Sequence, residues 1–278
     1  MRHPDGRPQV VAHRGSSFTN PEHTLAAYVR ALDEGADALE CDVRLTSDGH
    51  LVCVHDRTLE RVTGTRGSVV STMRLDQLDE LDFGSWKNPW ADLDDEAPDM
   101  DVDAKKVLTM RRLLETVRDY DRTVDLAIET KHPTRYAGLV ERSLVQLLDE
   151  FGWAGRGSPA RVMSFSRRAL TRVKKLAPDL EVVYLMYRRH ALVLARELNG
   201  FDWIAGPGIE LLRENPTGIR RLSRLGRRVH VWTVNTEQDI DLCLELGVEA
   251  VITDRPNMAL AYLTGGAGDA RRPGGDTG

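Results

Sequence analysis

The feature that most restricts this chain is an alternation of short apolar runs with longer amphipathic stretches. The apolar runs at residues 9–12, 38–45, 124–129, 161–165, 181–186, 203–205, 228–234 and 250–253 read as strands. Several are apolar on both faces, as strands of a covered parallel sheet must be. Helical periodicity appears at 24–34, 110–120, 167–176, 190–198, 217–225, 236–246 and 257–263. In the first of these, Leu25, Tyr28, Val29 and Leu32 fall on one stripe. A short extra strand at 51–54 follows the turn signal Asp48-Gly49. Eight strands, most followed by a helix, close naturally into a (β/α)8 TIM barrel, and 278 residues suit one. A doubly wound open sheet competes, but no GxGxxG follows the first strand.

One region breaks the rhythm. Residues 57–106 are too long for a simple connection and form an insertion between the second and third strands. The insertion holds a helix-like piece at 75–81, Trp86, Trp90 and an acidic run from Asp92 to Asp103. The run reads first as a solvated loop, and more sharply as a recognition element over the barrel mouth. Its aspartate spacing and glycine position do not fit a calcium-binding EF-hand loop. The expected organisation is an extension over 1–8, the barrel over 9–263 and a disordered tail over 264–278.

Charge and composition narrow the partners. The formal charge of −5 leaves no basic field for nucleic acid or an anionic membrane. The first residues lack the apolar core of a secretion signal, and no apolar run approaches the roughly 20 residues of a membrane span. The expectation is a cytoplasmic protein with no stable membrane insertion, acting on a small molecule. Cys41, Cys53 and Cys243 are odd in number and form no CxxC pair, so they read as small core residues.

Barrel enzymes place their chemistry at the carboxyl ends of the strands, and the polar residues here gather there. The first strand runs into His13-Arg14-Gly15, and the second carries Glu40 and Asp42. The extra strand ends in His55-Asp56, and the third ends in Glu129-Thr130-Lys131. Glu40 and Asp42 share a strand face because they are two residues apart. Glu129 enters from the neighbouring strand, about 5 Å away. Three carboxylates without a histidine cluster suit one hard divalent cation, Mg2+ or Ca2+, better than zinc. The plainer alternative is two salt-bridged acids and a surface glutamate. Arg14 offers a planar fork and Lys131 a point charge to the oxygens of a phosphodiester. His13 and His55 come from different strand ends. One can take a proton from an attacking oxygen while the other protonates a leaving oxygen. His3, His23, His50, His132, His190 and His230 read as structural.

These residues belong to an ordered set of motifs. It begins with His13-Arg14-Gly15 and Asn20-Pro21-Glu22-His23-Thr24-Leu25-Ala26-Ala27. Gly35-Ala36-Asp37-Ala38-Leu39-Glu40-Cys41-Asp42-Val43, Thr46-Ser47-Asp48-Gly49, Val54-His55-Asp56 and Leu59-Glu60-Arg61-Val62-Thr63-Gly64 follow. The set ends with Ile128-Glu129-Thr130-Lys131, Ser164-Phe165, Val231-Trp232-Thr233-Val234-Asn235 and Val251-Ile252-Thr253-Asp254-Arg255-Pro256. Over about residues 9–262 the chain resembles the glycerophosphodiester phosphodiesterases. The resemblance implies a (β/α)8 barrel with an insertion after the second strand. It implies hydrolysis of glycerophosphodiesters to glycerol 3-phosphate and an alcohol, with His13 and His55 as the acid–base pair. Glu40, Asp42 and Glu129 would hold one divalent ion, and Arg14 and Lys131 the phosphate. Glu22 would support Arg14, while Phe165 and Trp232 would line the glycerol pocket. Attack by the neighbouring glycerol hydroxyl, through a cyclic phosphate, stands beside direct attack by water. Two positions depart from the family pattern. His23 replaces a common Asn, with an expected effect on local bonding, and Thr130 replaces an apolar residue and should face the barrel wall.

Three other readings compete. A related barrel phospholipase or lyase acting on intact phospho- or sphingolipids would share the histidines and metal, but such enzymes usually carry secretion signals and disulfides. A non-catalytic barrel predicts loss of a site residue, and none is missing. A metal-dependent amidohydrolase wants His-x-His after the first strand, where this chain has His13-Arg14-Gly15.

Overall fold

Residues buried on both faces build the strands. In the strand Ala38–Leu45, every residue except Arg44 is buried. The computed structural model describes residues 5–87, 105–136, 138–187 and 201–265. Its strands are β1 (Gln9–His13), β2 (Ala38–Leu45), β3 (Leu51–Cys53), β4 (Asp125–Thr130) and β5 (Ala160–Ser164). They continue as β6 (Glu181–Met186), β7 (Ile204–Pro207), β8 (His230–Val231) and β9 (Ala250–Thr253). Eight of them run parallel in the order β7-β6-β5-β4-β2-β1-β9-β8. Parallel bridges Ala205–Val229 and Gly208–Trp232 join the two ends of that order, so the sheet is a nearly closed barrel. β3 pairs antiparallel with β2, with Val43 opposite Cys53. The expected strand at 228–234 contracts to β8, and Trp232 lies just beyond it.

The described helices are α1 (Leu25–Asp33), α2 (Glu60–Thr63), α3 (Leu75–Asp79), α4 (Met110–Arg118) and α5 (Leu139–Glu150). They continue as α6 (Arg167–Leu176), α7 (Ile209–Glu214), α8 (Pro216–Arg224), α9 (Glu237–Glu245) and α10 (Pro256–Gly265). Local chemistry starts several of them. The side chains of Thr24, Thr109, Ser166 and Thr236 accept from the backbone N–H three residues on. Each such cap contributes about 1 kcal/mol. α5 was not among the expected helices. Glu141 is fully buried in its apolar stripe, which blurs the periodicity that Leu144 and Leu148 carry. α7 was also unassigned, because it is short and lies between Pro207-Gly208 and Asn215-Pro216.

The barrel interior follows the period of two along each strand. Val11, Ala38, Ala127, Met163, Val183, Ile204 and Ile252 form its apolar middle. The same faces carry Glu40, Asp42 and Glu129 towards the carboxyl end, and Gln9, Asp125 and Arg161 towards the amino end. Outside the barrel, the helices bury their stripes against the sheet. The described part of the insertion packs Leu59, Val62, Leu78 and Phe83 into a small core against Val54, with Trp86 on it. Trp90, the acidic run 92–103, the expected helix at 190–198, His3, His190 and residues 266–278 lie outside the described residues. The three cysteines are free and buried. No described helix is long and apolar enough to cross a membrane.

Candidate active site

The backbone at the end of β1 sets the first part of the site. Gly15 has φ 86°, and a Cβ there would lie 2.6 Å from the carbonyl carbon of Ala27, so only glycine fits. Arg14 and His23 also adopt positive φ, at 57° and 61°. Two backbone bonds tie these positions together. Arg14 N–H donates to the carbonyl of Glu40, and His23 N–H to that of Arg14.

Strand register brings the carboxylates together. His13 pairs with Glu40 across β1 and β2, and Asp42 with Glu129 across β2 and β4. Ligand oxygens of Glu40, Asp42 and Glu129 lie within 4.8 Å of one another, and all three residues are buried. Burial and the charge of Asp42 push the Glu40 carboxyl well above its ordinary value. The same two causes push Glu129 up to about 8. Burial works against charge on Asp42 as well, but Lys131, Arg14 and His23 outweigh it and hold its carboxyl well below the usual range. Three buried carboxylates that resist sharing their charge match the donor set of a hard divalent cation.

Two cations stand against this cluster. Lys131 Nζ lies 2.9 Å from Asp42 Oδ1 and 2.9 Å from Glu129 Oε2. Arg14 Nε lies 3.1 Å from Asp42 Oδ2, and its Nη1 lies 3.2 Å from Glu22 Oε1. Acidic neighbours keep both groups charged despite burial.

Each candidate histidine is backed by an aspartate. His13 Nδ1 is 2.6 Å from Asp254 Oδ1, and its Nε2 is 3.9 Å from Glu40 Oε2. His55 Nδ1 is 2.7 Å from Asp56 Oδ1. Asp254 also accepts from Ser17 and Asn235, and hydrogen bonds hold its carboxyl down to about 2 despite burial. An ionised carboxylate only accepts, so Nδ1 of His13 carries the hydrogen and Nε2 is left to exchange protons. Burial lowers His55 to about 4, so its imidazole is neutral near pH 7. Arg61 bridges Asp56 and Glu22, with bonds of 2.5 Å to Asp56 and of 2.6 and 2.9 Å to Glu22. The chain His55–Asp56–Arg61–Glu22–Arg14 therefore links one imidazole to the guanidinium beside the acids.

These groups open on a cavity of about 240 Å³. His13, Arg14, Glu40, His55, Glu129 and Lys131 line one part of it. Phe165, Trp232 and Tyr187 form an aromatic wall on another. Phe165 meets Trp232 edge-on at 5.4 Å and Tyr187 at 5.5 Å. Trp232 Nε1 donates to the carbonyl of Gly206 at 2.8 Å.

The structure brings together all ten residues singled out in the sequence, with Asp42 and Glu22 bonded behind the cavity wall. Several neighbours had no expected role. Asp254, Asp56 and Arg61 stood in the quoted motifs, but their partners were invisible without the fold. Tyr187 carried no sequence signal. His23 donates its local bonding to the cluster: Nε2 is 2.9 Å from Asp42 Oδ2, and Nδ1 is 2.8 Å from the Tyr28 hydroxyl. His132 bonds Glu141 at 2.6 Å outside the cavity, in keeping with its structural reading. Thr130 is buried, as expected of a residue facing the wall.

Known proteins are similar to this chain in sequence and in fold. A relative from Mycobacterium tuberculosis named "Probable glycerophosphodiester phosphodiesterase 1" is 45% identical over 94% of this chain and 94% of its own length. A glycerophosphodiester phosphodiesterase of Bacillus subtilis is 32% identical over 90% of this chain and 84% of its own. The structure of an Oleispira antarctica phosphodiesterase in complex with its product sn-glycerol-3-phosphate superposes with a TM-score of 0.78. It is 25% identical and covers 94% of this chain and 98% of its own. Residues 13–258 match the sequence model of one family, and the chain belongs to it: the glycerophosphoryl diester phosphodiesterase family.

Proposed function

We propose that this enzyme hydrolyses glycerophosphodiesters to glycerol 3-phosphate and an alcohol. In this reading Glu40, Asp42 and Glu129 hold one divalent cation, Mg2+ or Ca2+. When bound, such an ion supplies positive charge against the phosphate and favours ionisation of an attacking oxygen. The remaining work falls to the protein's own side chains. Arg14 and Lys131 bind the phosphate oxygens, with Glu22 orienting the guanidinium. His13 and His55 exchange protons at Nε2 with the attacking and leaving oxygens, while Asp254 and Asp56 hold the rings in the required tautomer. Phe165 and Trp232 pack against the glycerol carbons and exclude water from that side.

One observation supports this reading above the others. Two imidazoles, each fixed by a carboxylate, face a single cavity beside an aromatic wall, together with two cations and with Glu40 and Glu129, which have Asp42 of the same acid cluster behind them. The test is turnover of glycerophosphocholine with and without EDTA. Activity should vanish in chelator and return with Mg2+ or Ca2+. Full activity in EDTA removes the metal from the mechanism. Turnover of intact phospholipid in liposomes, with none of glycerophosphocholine, would replace the reading with a phospholipase.

A further inference from the structure

A second cavity, of about 200 Å³, adjoins the first and shares only Lys131 with it. Arg44, Arg57 and Arg135 join Lys131 in its walls, and none of the described residues lining it is an acid. Most arginines described around the barrel are matched to carboxylates. Arg61, Arg213, Arg228 and Arg172, for example, each bond an Asp or Glu. The three arginines of this cavity have no such partner among the described residues. Arg44 Nε and Nη2 both donate to the carbonyl of His55, at 3.0 and 2.8 Å, which spends part of its fork on the backbone and none on an acid. Arg135 lies against the ring of Tyr136, 5.8 Å from its centre.

Hydrogen bonds between lining residues hold the walls in place. The Tyr136 hydroxyl donates to the carbonyl of Ser71 at 2.7 Å, joining the segment after β4 to the insertion. Val70 N–H donates to the carbonyl of Arg57 at 3.2 Å. Lys131 spends its charge on Asp42 and Glu129, and Arg57 and Arg135 are solvent-exposed, so an anion entering the cavity meets guanidinium forks that no described carboxylate holds. Planar guanidinium forks are suited to phosphate oxygens. The cavity far exceeds the roughly 30 Å³ of one water, and a phosphate group fits within it.

We propose that this cavity is a subsite for a second anionic group on the alcohol half of the substrate, most simply a phosphate carried by the leaving alcohol. The assignment rests on the reading of the first cavity as the diester site. There the aromatic wall takes the glycerol half, so the alcohol extends past Lys131 towards Arg44, Arg57 and Arg135. The enzyme then selects phosphorylated leaving groups over neutral ones.

A matched pair of substrates tests this: glycerophosphoinositol 4-phosphate against glycerophosphoinositol. The native enzyme should favour the phosphorylated diester in kcat/KM by about tenfold or more, as expected for hydrogen bonds to a charged group. The variant Arg57→Gln/Arg135→Gln should lose that preference and keep its rate on glycerophosphoinositol. An equal fall on both substrates, or no preference in the native enzyme, overturns the subsite. Calorimetric binding of myo-inositol 4-phosphate reads the cavity without turnover. Binding that weakens about tenfold in the double variant supports the subsite even if no glycerophosphodiester is hydrolysed, so the two readings fail separately. Undiminished binding in the variant, or none in the native enzyme, overturns it. If inorganic phosphate binds as tightly and leaving-group phosphorylation does not alter turnover, the cavity takes free phosphate and the leaving-group assignment is wrong.

Discussion

The two ends of the barrel bury charge in opposite ways. At the amino end, Arg161 is buried, donates to the Gln9 side-chain oxygen at 2.7 Å and lies 3.6 Å from Asp125. Arg228 bridges Glu249, at 2.7 Å, and Glu181. His230 is buried between them, 3.7 Å from Glu249, and burial lowers its imidazole to about 3. Each charge there has a partner from a neighbouring strand, and the one ambiguous group stays neutral. At the carboxyl end three acids crowd together, and burial forces two of them towards the protonated form. The first arrangement matches its charges internally, although Arg161 Nε and both ring nitrogens of His230 make no hydrogen bond. In the second, three buried acids crowd against two cations, and that crowding has a cost to stability.

This contrast can be broken at either end. The largest expected effect is at the carboxyl end. Replacing His13 or His55 with Ala should lower kcat on glycerophosphocholine by roughly 10²–10⁴-fold, with little change in melting temperature. A near-normal rate in both variants removes the acid–base assignment. At the amino end the effect should reverse. Arg161→Met leaves Asp125 and Gln9 without their cation and should cost about 3 kcal/mol of stability by urea unfolding, while the folded fraction keeps its kcat. A change in kcat without loss of stability would mean the two ends are coupled.

Cation binding sharpens the comparison. At a hundredfold excess over Kd, Mg2+ or Ca2+ should stabilise the native protein by about 2.7 kcal/mol. The variant Glu40→Gln/Asp42→Asn should show no such gain. Equal stabilisation of both would place the ion elsewhere. A smaller effect follows from Asp254→Asn, which keeps the shape of the His13 partner but not its charge. It should lower kcat by about tenfold and shift the pH–rate profile. An unchanged profile would make Asp254 merely structural.

The smallest effect concerns pH. His230 is held neutral in the fold, well below its ordinary value of 6.5. The unfolded chain therefore takes up the proton first as pH falls. The stability that depends on neutral His230 is complete above about 6.5 and is lost progressively from there towards about 3. His230→Leu should flatten part of that acid slope in chemical unfolding between pH 6.5 and 5. A slope as steep as the native one would assign the acid sensitivity to other groups.

Much of the barrel was legible in the sequence because its signals are local. Two-sided apolar runs mark parallel strands, and the spacing of Glu40 and Asp42 puts both on one face wherever the strand lies. Glu141 shows how this fails. An acid within an apolar stripe looks like a break until Arg172 is seen to pair with it at 2.9 Å and the His132 ring to hydrogen-bond it at 2.6 Å. Arg61 fails differently. Its motif was visible, yet nothing within a few residues indicated that it would reach Glu22, 39 positions away.

The sequence alone determined the strand faces, the helix caps and the identity of the groups available for chemistry, because these depend on residue type and on a period of two or 3.6. Closure of the barrel decided the rest. It set His13 against Asp254 across 241 positions and His23 against Asp42, and it gathered Arg44, Arg57 and Arg135 around one cavity. Such contacts depend on the mutual placement of strands and loops distant in the chain, and no local pattern of residues encodes that placement.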